Sequence, residues 1–204
     1  MLVKPVIDPS LILKAQELFP KVILASQSEN RRKLLEDMNI CVIQKPQCIN
    51  ELCGLTKPIE VVTTLSKQKL DSYLNSKDFD ESLPAICLDT LVLFDGKLIG
   101  KPDSEEVARE LLYKFSSKKQ EVLTGLSAYI PNKGCVTTYD SSEVIFSPLS
   151  AGEINWYIST GEWQGAAGGY RIQKNGYKLV EKIEGSWTNV IGFPLEKFIS
   201  ILTN

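Results

Sequence analysis

Lys21-Val-Ile-Leu-Ala-Ser-Gln-Ser-Glu-Asn-Arg-Arg-Lys33 changes its chemistry halfway along. Lys21 to Ala25 reads as a buried strand, a short apolar run closed by polar residues. Ser28 to Met38 has the spacing of a helix, with Leu34, Leu35 and Met38 facing inward. A strand that runs through a short polar loop into a helix leaves free backbone N–H groups at the helix N-terminus, where an anion can sit. Arg31, Arg32 and Lys33 fall in the first helical turns, where the helix dipole disfavours cations by roughly 0.3–1 kcal/mol each. An anionic ligand would reverse that penalty; the plainer reading is a solvated helix face.

Outward from this stretch, helices and strands mix along the chain. Pro9 to Phe19 places Leu11, Ile12, Ala15, Leu18 and Phe19 at helical spacing. Ile59 to Leu74 is helical, residues 76–83 form a polar loop, and Ala85 to Phe94 is a strand closed by the turn Asp95-Gly96. Asp103 followed by Glu106 resembles a capping box that starts a helix ending near Phe115. Glu121 to Ile130 and Cys135 to Phe146 pair about the turn Pro131-Asn-Lys-Gly134. Leu149 to Thr160 is a helix with Ser150 as N-cap and Gly161 as its stop. Tyr177 to Ile183 reads as a strand and Leu195 to Leu202 as a closing helix. This order predicts an α/β fold around a mixed sheet with helices on its faces.

The bulk composition narrows the chemistry. At 204 residues, 43% hydrophobic and 24% charged, the chain can bury a sizeable core as one domain. Its net charge of −2 gives no general reason to bind nucleic acid, so an anion site must be built from a few placed cations. There is no histidine. That excludes Ser-His-Asp triads, Cys-His pairs and His-based zinc sites, leaving carboxylates, lysines, arginines, hydroxyls and a hard cation such as magnesium. The five cysteines (Cys41, Cys48, Cys53, Cys87, Cys135) form no CxxC and leave an odd one over. Two sit in apolar surroundings, as core thiols do, and a reducing cytosol fits better than a disulfide framework. No run reaches transmembrane length, and Asp8 interrupts the N-terminal apolar stretch where a signal peptide would be hydrophobic. A cytoplasmic protein that does not engage membranes is expected.

Asp89 stands inside a strand that otherwise reads as buried on both faces. A carboxylate there is costly unless paired, hydrogen-bonded or bound to a cation. Functional sites tolerate such costs, although a structural aspartate capping a turn would look the same. Gly100-Lys-Pro102 follows the same strand after a hairpin-like turn, and Lys101 would reach phosphate oxygens near Asp89; exposed lysines are also commonplace. Gly165-Ala-Ala-Gly-Gly-Tyr-Arg-Ile-Gln173 permits close backbone approach or positive φ. It lacks the G-x-G-x-x-G dinucleotide fingerprint, and a plain turn is its alternative.

Together these segments resemble the Maf nucleotide pyrophosphatases. Ile23-Leu-Ala-Ser-Gln-Ser28 with Arg31 and Leu34-Leu35 is similar to the opening signature of that family. Leu88-Asp-Thr90, Gly100-Lys-Pro102 and Thr124-Gly125 resemble its central blocks. Ala167-Gly-Gly-Tyr-Arg-Ile-Gln173 and Glu184-Gly-Ser-Trp-Thr-Asn-Val-Ile-Gly-Phe-Pro194 are similar to its C-terminal ones. The resemblance covers residues 21–203 and makes residues 1–20 an N-terminal extension, read as a packing helix ahead of a pyrophosphatase domain at 21–204.

The resemblance implies a single α/β domain with an elongated mixed sheet and a cleft between two lobes, an architecture shared with the inosine triphosphate pyrophosphatases. It implies hydrolysis of a nucleoside triphosphate to the monophosphate and pyrophosphate, a role in cleansing nucleotide pools, a link to cell-division arrest, and dimers. Carried across by position, Asp89 takes the proton-acceptor role, and Ser26, Arg31, Lys69 and Lys101 hold the phosphates. Glu51, with Asp89, would bind a divalent cation, magnesium or manganese. Thr90 and Gln173 match positions tied to substrate choice and fit the branch that acts on dTTP and UTP. An ordinary aspartate is ionised at neutral pH but is a feeble base, so Asp89 would have a raised pKa or act mainly by holding metal and water.

Two departures bear on substrate choice and on metal binding. Glu29-Asn30 replaces the family's Pro-Arg, so Asn30 offers a neutral amide in place of a five-donor fork. Asn50-Glu51 replaces a pair of acids. Ser28-Glu-Asn-Arg-Arg-Lys33 also resembles the S/T-x-N-x-x-K opening of the inosine triphosphate pyrophosphatases, whose Ser-His-Arg signature a chain without histidine cannot carry. The alternatives are therefore the same chemistry with purine or broad base choice, or a nucleotide-binding regulator whose catalysis has decayed.

Overall fold

Lys21–Leu24 (β1) pairs in parallel with Cys41–Gln44 (β2) on one side and with Ala85–Phe94 (β3) on the other. In the computed structural model, which describes residues 4–49 and 55–203, the sheet order is β2-β1-β3, then Lys119–Ile130 (β5), Gly134–Phe146 (β6) and Val180–Glu184 (β7). Lys97–Ile99 (β4) pairs antiparallel with the end of β3, and β6 pairs antiparallel with β7, so the sheet is mixed. Helices are Pro9–Leu18 (α1), Glu29–Asp37 (α2), Pro58–Leu74 (α3), Glu105–Phe115 (α4), Ala151–Ser159 (α5), Trp187–Ile191 (α6) and Leu195–Thr203 (α7). The fold is the expected α/β class around a mixed sheet.

The chain divides into two compact units, and β3, β5 and β6 each run from one into the other. One unit comprises Ile7–Thr90, Thr124–Asp140 and the chain from Gly192 onward. Here β1 is buried after its first residue, as a parallel strand covered on both faces should be. Ile23, Leu70, Tyr73, Ala85 and Cys87 form a core cluster, against which Phe79 and Tyr129 pack. The loop over residues 76–83 is tied down by the Tyr73 hydroxyl, which donates to the Asp78 carbonyl at 3.2 Å and accepts from the Asp80 N–H at 3.1 Å. Helix α1 is capped by Asp8 and followed by Phe19, which meets Phe198 of α7 edge-on at 4.8 Å.

The other unit contains Leu91–Leu123 and Ser141–Ile191. Its core is aromatic: Phe115 touches Phe94 and Phe146 at centroid separations of 5.0 and 5.4 Å, and Phe146 meets Tyr170 at 5.1 Å. Such contacts add about 0.5–1.5 kcal/mol each beyond area burial. Helix α4 is capped by Ser104, whose hydroxyl accepts from the Val107 N–H, rather than by Asp103. The reciprocal capping box lies instead at Ser150 and Glu153, opening α5.

Other expectations need correction. Residues Asn175–Leu179 form a 3-10 helix, and β7 starts only at Val180. Gly176 sits so close to the Arg171 backbone that a Cβ would lie 2.5 Å from its carbonyl oxygen, which holds the chain in a tight turn. Of the described cysteines Cys87 alone is buried, while Cys41, Cys48 and Cys135 are exposed free thiols; Cys53 lies outside the described residues. Burial pushes the Cys87 thiol up to about 12 despite the nearby cations Lys69 and Arg31, so it stays protonated and unreactive. Peptide mapping after brief treatment of the native protein with a maleimide should therefore find Cys41, Cys48 and Cys135 labelled and Cys87 unlabelled until denaturant is added. Early labelling of Cys87 would contradict this packing.

Among the described residues no helix is long and apolar enough to cross a membrane.

Candidate active site

The register of β1 on β3 sets the geometry. Ile23 and Leu24 lie beside Ala85 and Ile86, and the Ala25 N–H reaches the Ile86 carbonyl at 3.0 Å. Strand β1 ends there while β3 continues through Asp89. The carboxylate thus stands just past the carboxyl end of β1, beside the loop into α2, on the side where open α/β sheets hold their ligands. Ser28 caps α2, its Oγ accepting from the Arg31 N–H at 3.4 Å. Asn30 is partly buried in the first turn of that helix.

Asp89 is buried and paired. Lys69, reaching over from α3, places Nζ 2.7 Å from Asp89 Oδ1, and both side chains are almost enclosed, at 14% and 11% exposure. The cost of putting a carboxylate inside a strand is met by this contact and by the positive field of Arg31. Breaking an enclosed pair leaves an uncompensated charge, whereas the intact pair adds little net stability.

The Arg31 guanidinium points inward from α2 and donates four hydrogen bonds to the protein. Nε donates to the Gly192 carbonyl at 2.8 Å, Nη1 to Ser26 Oγ at 3.0 Å and to the Leu88 carbonyl at 3.1 Å, and Nη2 to Thr90 Oγ1 at 2.8 Å. Burial lowers its pKa to about 10, opposed by the charge of Asp89, so it remains a cation at neutral pH. Arg32 pairs with Glu29 and Glu36 on the exposed side of α2. The penalty on cations in this first turn is therefore largely answered by protein groups, without a ligand.

The hydroxyls near Asp89 are ordered by these contacts. Ser26 Oγ accepts from Arg31 Nη1 and from the Ser28 N–H at 3.2 Å, so both lone pairs are used and its own proton is left to donate. Thr90 Oγ1 accepts from Arg31 and lies 3.0 Å from Thr124 Oγ1. Thr124 is fully buried, and its part in the site was not drawn from the sequence, where it stood out only within the Thr124-Gly125 block. Gly192 was also missed. It has φ +100°, and a Cβ there would come within 3.1 Å of Thr90 Oγ1 and 3.3 Å of Arg31 Nε.

Ser26, Asn30, Arg31, Lys69, Asp89 and Thr90 thus belong to one unit, and Lys101 and Gln173 to the other. There Lys101 is exposed, and its segment is held against the glycine-rich turn: the Gly168 N–H donates to the Gly100 carbonyl at 3.0 Å, and Gly169 lies close to Pro102. Gln173 is partly buried. Glu51 lies outside the described residues. No three Cys, Asp or Glu residues gather as a metal cage among the described residues. Magnesium does not need one, since it commonly binds through one or two carboxylates together with substrate phosphates. Asp89, with Oδ1 on Lys69, fits as one such ligand.

Comparison with known proteins finds relatives over most of the chain. The family model described as Maf-like protein matches residues 21–204. The dTTP/UTP pyrophosphatase of Halalkalibacterium halodurans is 38% identical over 183 residues, covering 89% of this chain and 94% of its own. That of Pyrococcus furiosus is likewise 38% identical with the same coverage. That of Bacillus pumilus is 37% identical over 89% of this chain and 95% of its own. Among solved structures, a HAM1 protein from Coxiella burnetii aligns with 90% of this chain and 98% of its own, at 14% identity and a TM-score of 0.42.

Proposed function

This chain belongs to the Maf family, and from that premise we propose that it hydrolyses nucleoside triphosphates, dTTP and UTP foremost, to the monophosphate and pyrophosphate. The observation that carries the proposal is Asp89, held by Lys69 in the middle of β3 beside a capped helix N-terminus and a serine with its proton free to donate. The names of the relatives supply the base preference.

In this reaction the oxygen of water bonds to the α-phosphorus, and the bond from that phosphorus to the bridging oxygen breaks. Pyrophosphate leaves with the bridging oxygen. Asp89 holds the attacking water and accepts its proton. Lys69 fixes one carboxylate oxygen and lends positive charge to the triphosphate, and Ser26 donates its hydroxyl proton to a phosphate oxygen. Lys101 is assigned a phosphate-binding role, and Gln173 with Thr90 a role in base choice, on their match to the family's motifs. Glu51 and Asp89 would hold a magnesium or manganese ion, which supplies charge stabilisation for the leaving pyrophosphate. Asn30, in place of the family's arginine, weakens one contact to substrate.

A net charge of −2 and a site made of a few placed cations favour a free nucleotide over a nucleic acid as partner, and we place the protein in the cytoplasm. The test is to incubate the purified protein with dTTP, UTP, CTP, GTP and ITP, with magnesium or manganese and with chelator, and to measure pyrophosphate and orthophosphate separately. Pyrophosphate from dTTP and UTP is expected. A purine preference would transfer the assignment to a different substrate, and binding of nucleotide without turnover would leave a regulator on an enzyme's fold.

A further inference from the structure

We infer that Arg31 is a positioning residue rather than a phosphate ligand: its guanidinium brackets Asp89 along β3 and sets the hydroxyl of Ser26 as a donor toward substrate. The inference rests on the proposed hydrolysis for its catalytic meaning, but its structural part stands on the contacts alone. Arg31 donates to the carbonyl of Leu88 and to the side chain of Thr90, the residues immediately before and after Asp89. The first holds the backbone just before the carboxylate and the second the side chain just after it, which together restrain the direction in which it points. The same guanidinium occupies one lone pair of Ser26 Oγ while the Ser28 N–H occupies the other, which leaves the hydroxyl only as a donor.

The donor inventory supports this division. A guanidinium has five N–H donors, and four are committed within the protein. A phosphate ligand in the usual bidentate mode needs two parallel donors, and Arg31 has one left. Gly192 completes the clamp, because its carbonyl takes Nε and its missing side chain leaves room for the guanidinium beside Thr90. Lysine, a single point of charge, cannot serve acceptors spread over the loop after β1, the middle of β3 and the Gly192 turn.

The experiment is Arg31→Lys, alone and combined with Ser26→Ala, read by steady-state kinetics on dTTP and by affinity for α,β-imido-dUTP. A misplaced carboxylate should lower kcat by about a hundredfold. KM and the affinity for the imido analogue should stay within about threefold of the wild type, since Arg31 itself makes no phosphate contact and the Ser26 hydrogen bond counts mainly in the transition state. Ser26→Ala should lower kcat in the wild-type background and change it little in Arg31→Lys, because the two act as one unit. Loss of analogue affinity by tenfold or more in Arg31→Lys, with kcat kept, would overturn the inference in favour of a phosphate ligand. A lower melting temperature with unchanged kcat would reduce Arg31 to a purely structural role and overturn it as well.

A second measurement needs neither folding of the variant nor turnover. In the wild-type protein the Arg31 Nε–H resonance should exchange slowly with water and keep its shift when α,β-imido-dUTP is added. Fast exchange, or a shift that saturates with the analogue, would contradict the clamp. Should the wild-type protein hydrolyse no triphosphate at all, the proposed reaction fails, and this resonance still decides whether the clamp exists.

Discussion

Asp89→Asn is expected to lower kcat for dTTP about a thousandfold while tightening the binding of the triphosphate about tenfold. The first part follows from losing the group that takes the proton from water, an effect typically worth two to four orders of magnitude. The second part follows from charge. The carboxylate opposes an incoming triphosphate and keeps Lys69 engaged at 2.7 Å. Asparagine removes the like charge that opposes the phosphates, and a tenfold gain corresponds to about 1.4 kcal/mol. The variant should also be less stable by about 1–2 kcal/mol, below the value for breaking a fully buried pair, because the amide oxygen can still accept from Lys69. Saturating triphosphate should restore that loss. Affinity measured with and without magnesium separates the two roles open to Asp89. If its main work is to hold the cation against the phosphates, affinity in magnesium will fall rather than rise. Turnover at the wild-type rate would remove Asp89 from the chemistry altogether.

Asp89 was legible because a charge in the middle of an apolar strand demands an explanation at the level of sequence. The inward placement of Arg31 left a weaker trace. Positions 31, 34, 35 and 38 follow the i, i+3, i+4, i+7 spacing of one helix face, and Leu34, Leu35 and Met38 are buried. A cation on that face has to meet internal acceptors. What the sequence does not carry is which acceptors, since they come from residues 26, 88, 90 and 192, brought together only by the register of β1 on β3 and by the turn at Gly192.

The same distinction separates the elements found in advance from those missed. Helix α3 was visible because seventeen residues repeat an apolar face. Strand β2 has four residues and none of them fully buried, and β4 has three, two of them exposed. Edge strands this short show no alternation for the sequence to display. The 3-10 helix at Asn175–Leu179 depends on close approach to the Arg171 backbone, a contact that no local pattern announces.

Gly125→Ala tests whether the placement of Lys69 depends on helix α3 lying directly on β5, and it is expected to destabilise the protein by about 3 kcal/mol and to abolish most activity. A Cβ at Gly125 would lie 2.1 Å from the Val62 carbonyl oxygen and 2.3 Å from its carbonyl carbon. Both obstacles are helix backbone, so no side-chain rotation relieves them. Two residues further along the same face of β5, Ser127 Oγ lies 3.0 Å from Ser66 Oγ, with both side chains fully buried. Val62, Ser66 and Lys69 share one face of α3, so these two keys set the height and rotation at which Lys69 meets Asp89. Lifting the helix to admit a methyl group would open the Ser66–Ser127 contact and lengthen the ion pair. The gain from replacing a glycine in the unfolded chain, about 0.4–1 kcal/mol, is too small to compensate. Gly152→Ala is the control, since a Cβ there meets only Ser150 Oγ at 3.8 Å within a helix, and it should leave stability unchanged or raise it by up to about 1 kcal/mol. Urea denaturation gives the stability of each variant, and dTTP turnover reports on the Lys69–Asp89 pair. Equal stability and full activity in Gly125→Ala would show that α3 can ride higher on β5 without moving its lysine, and that Lys69 owes its position to something other than this contact.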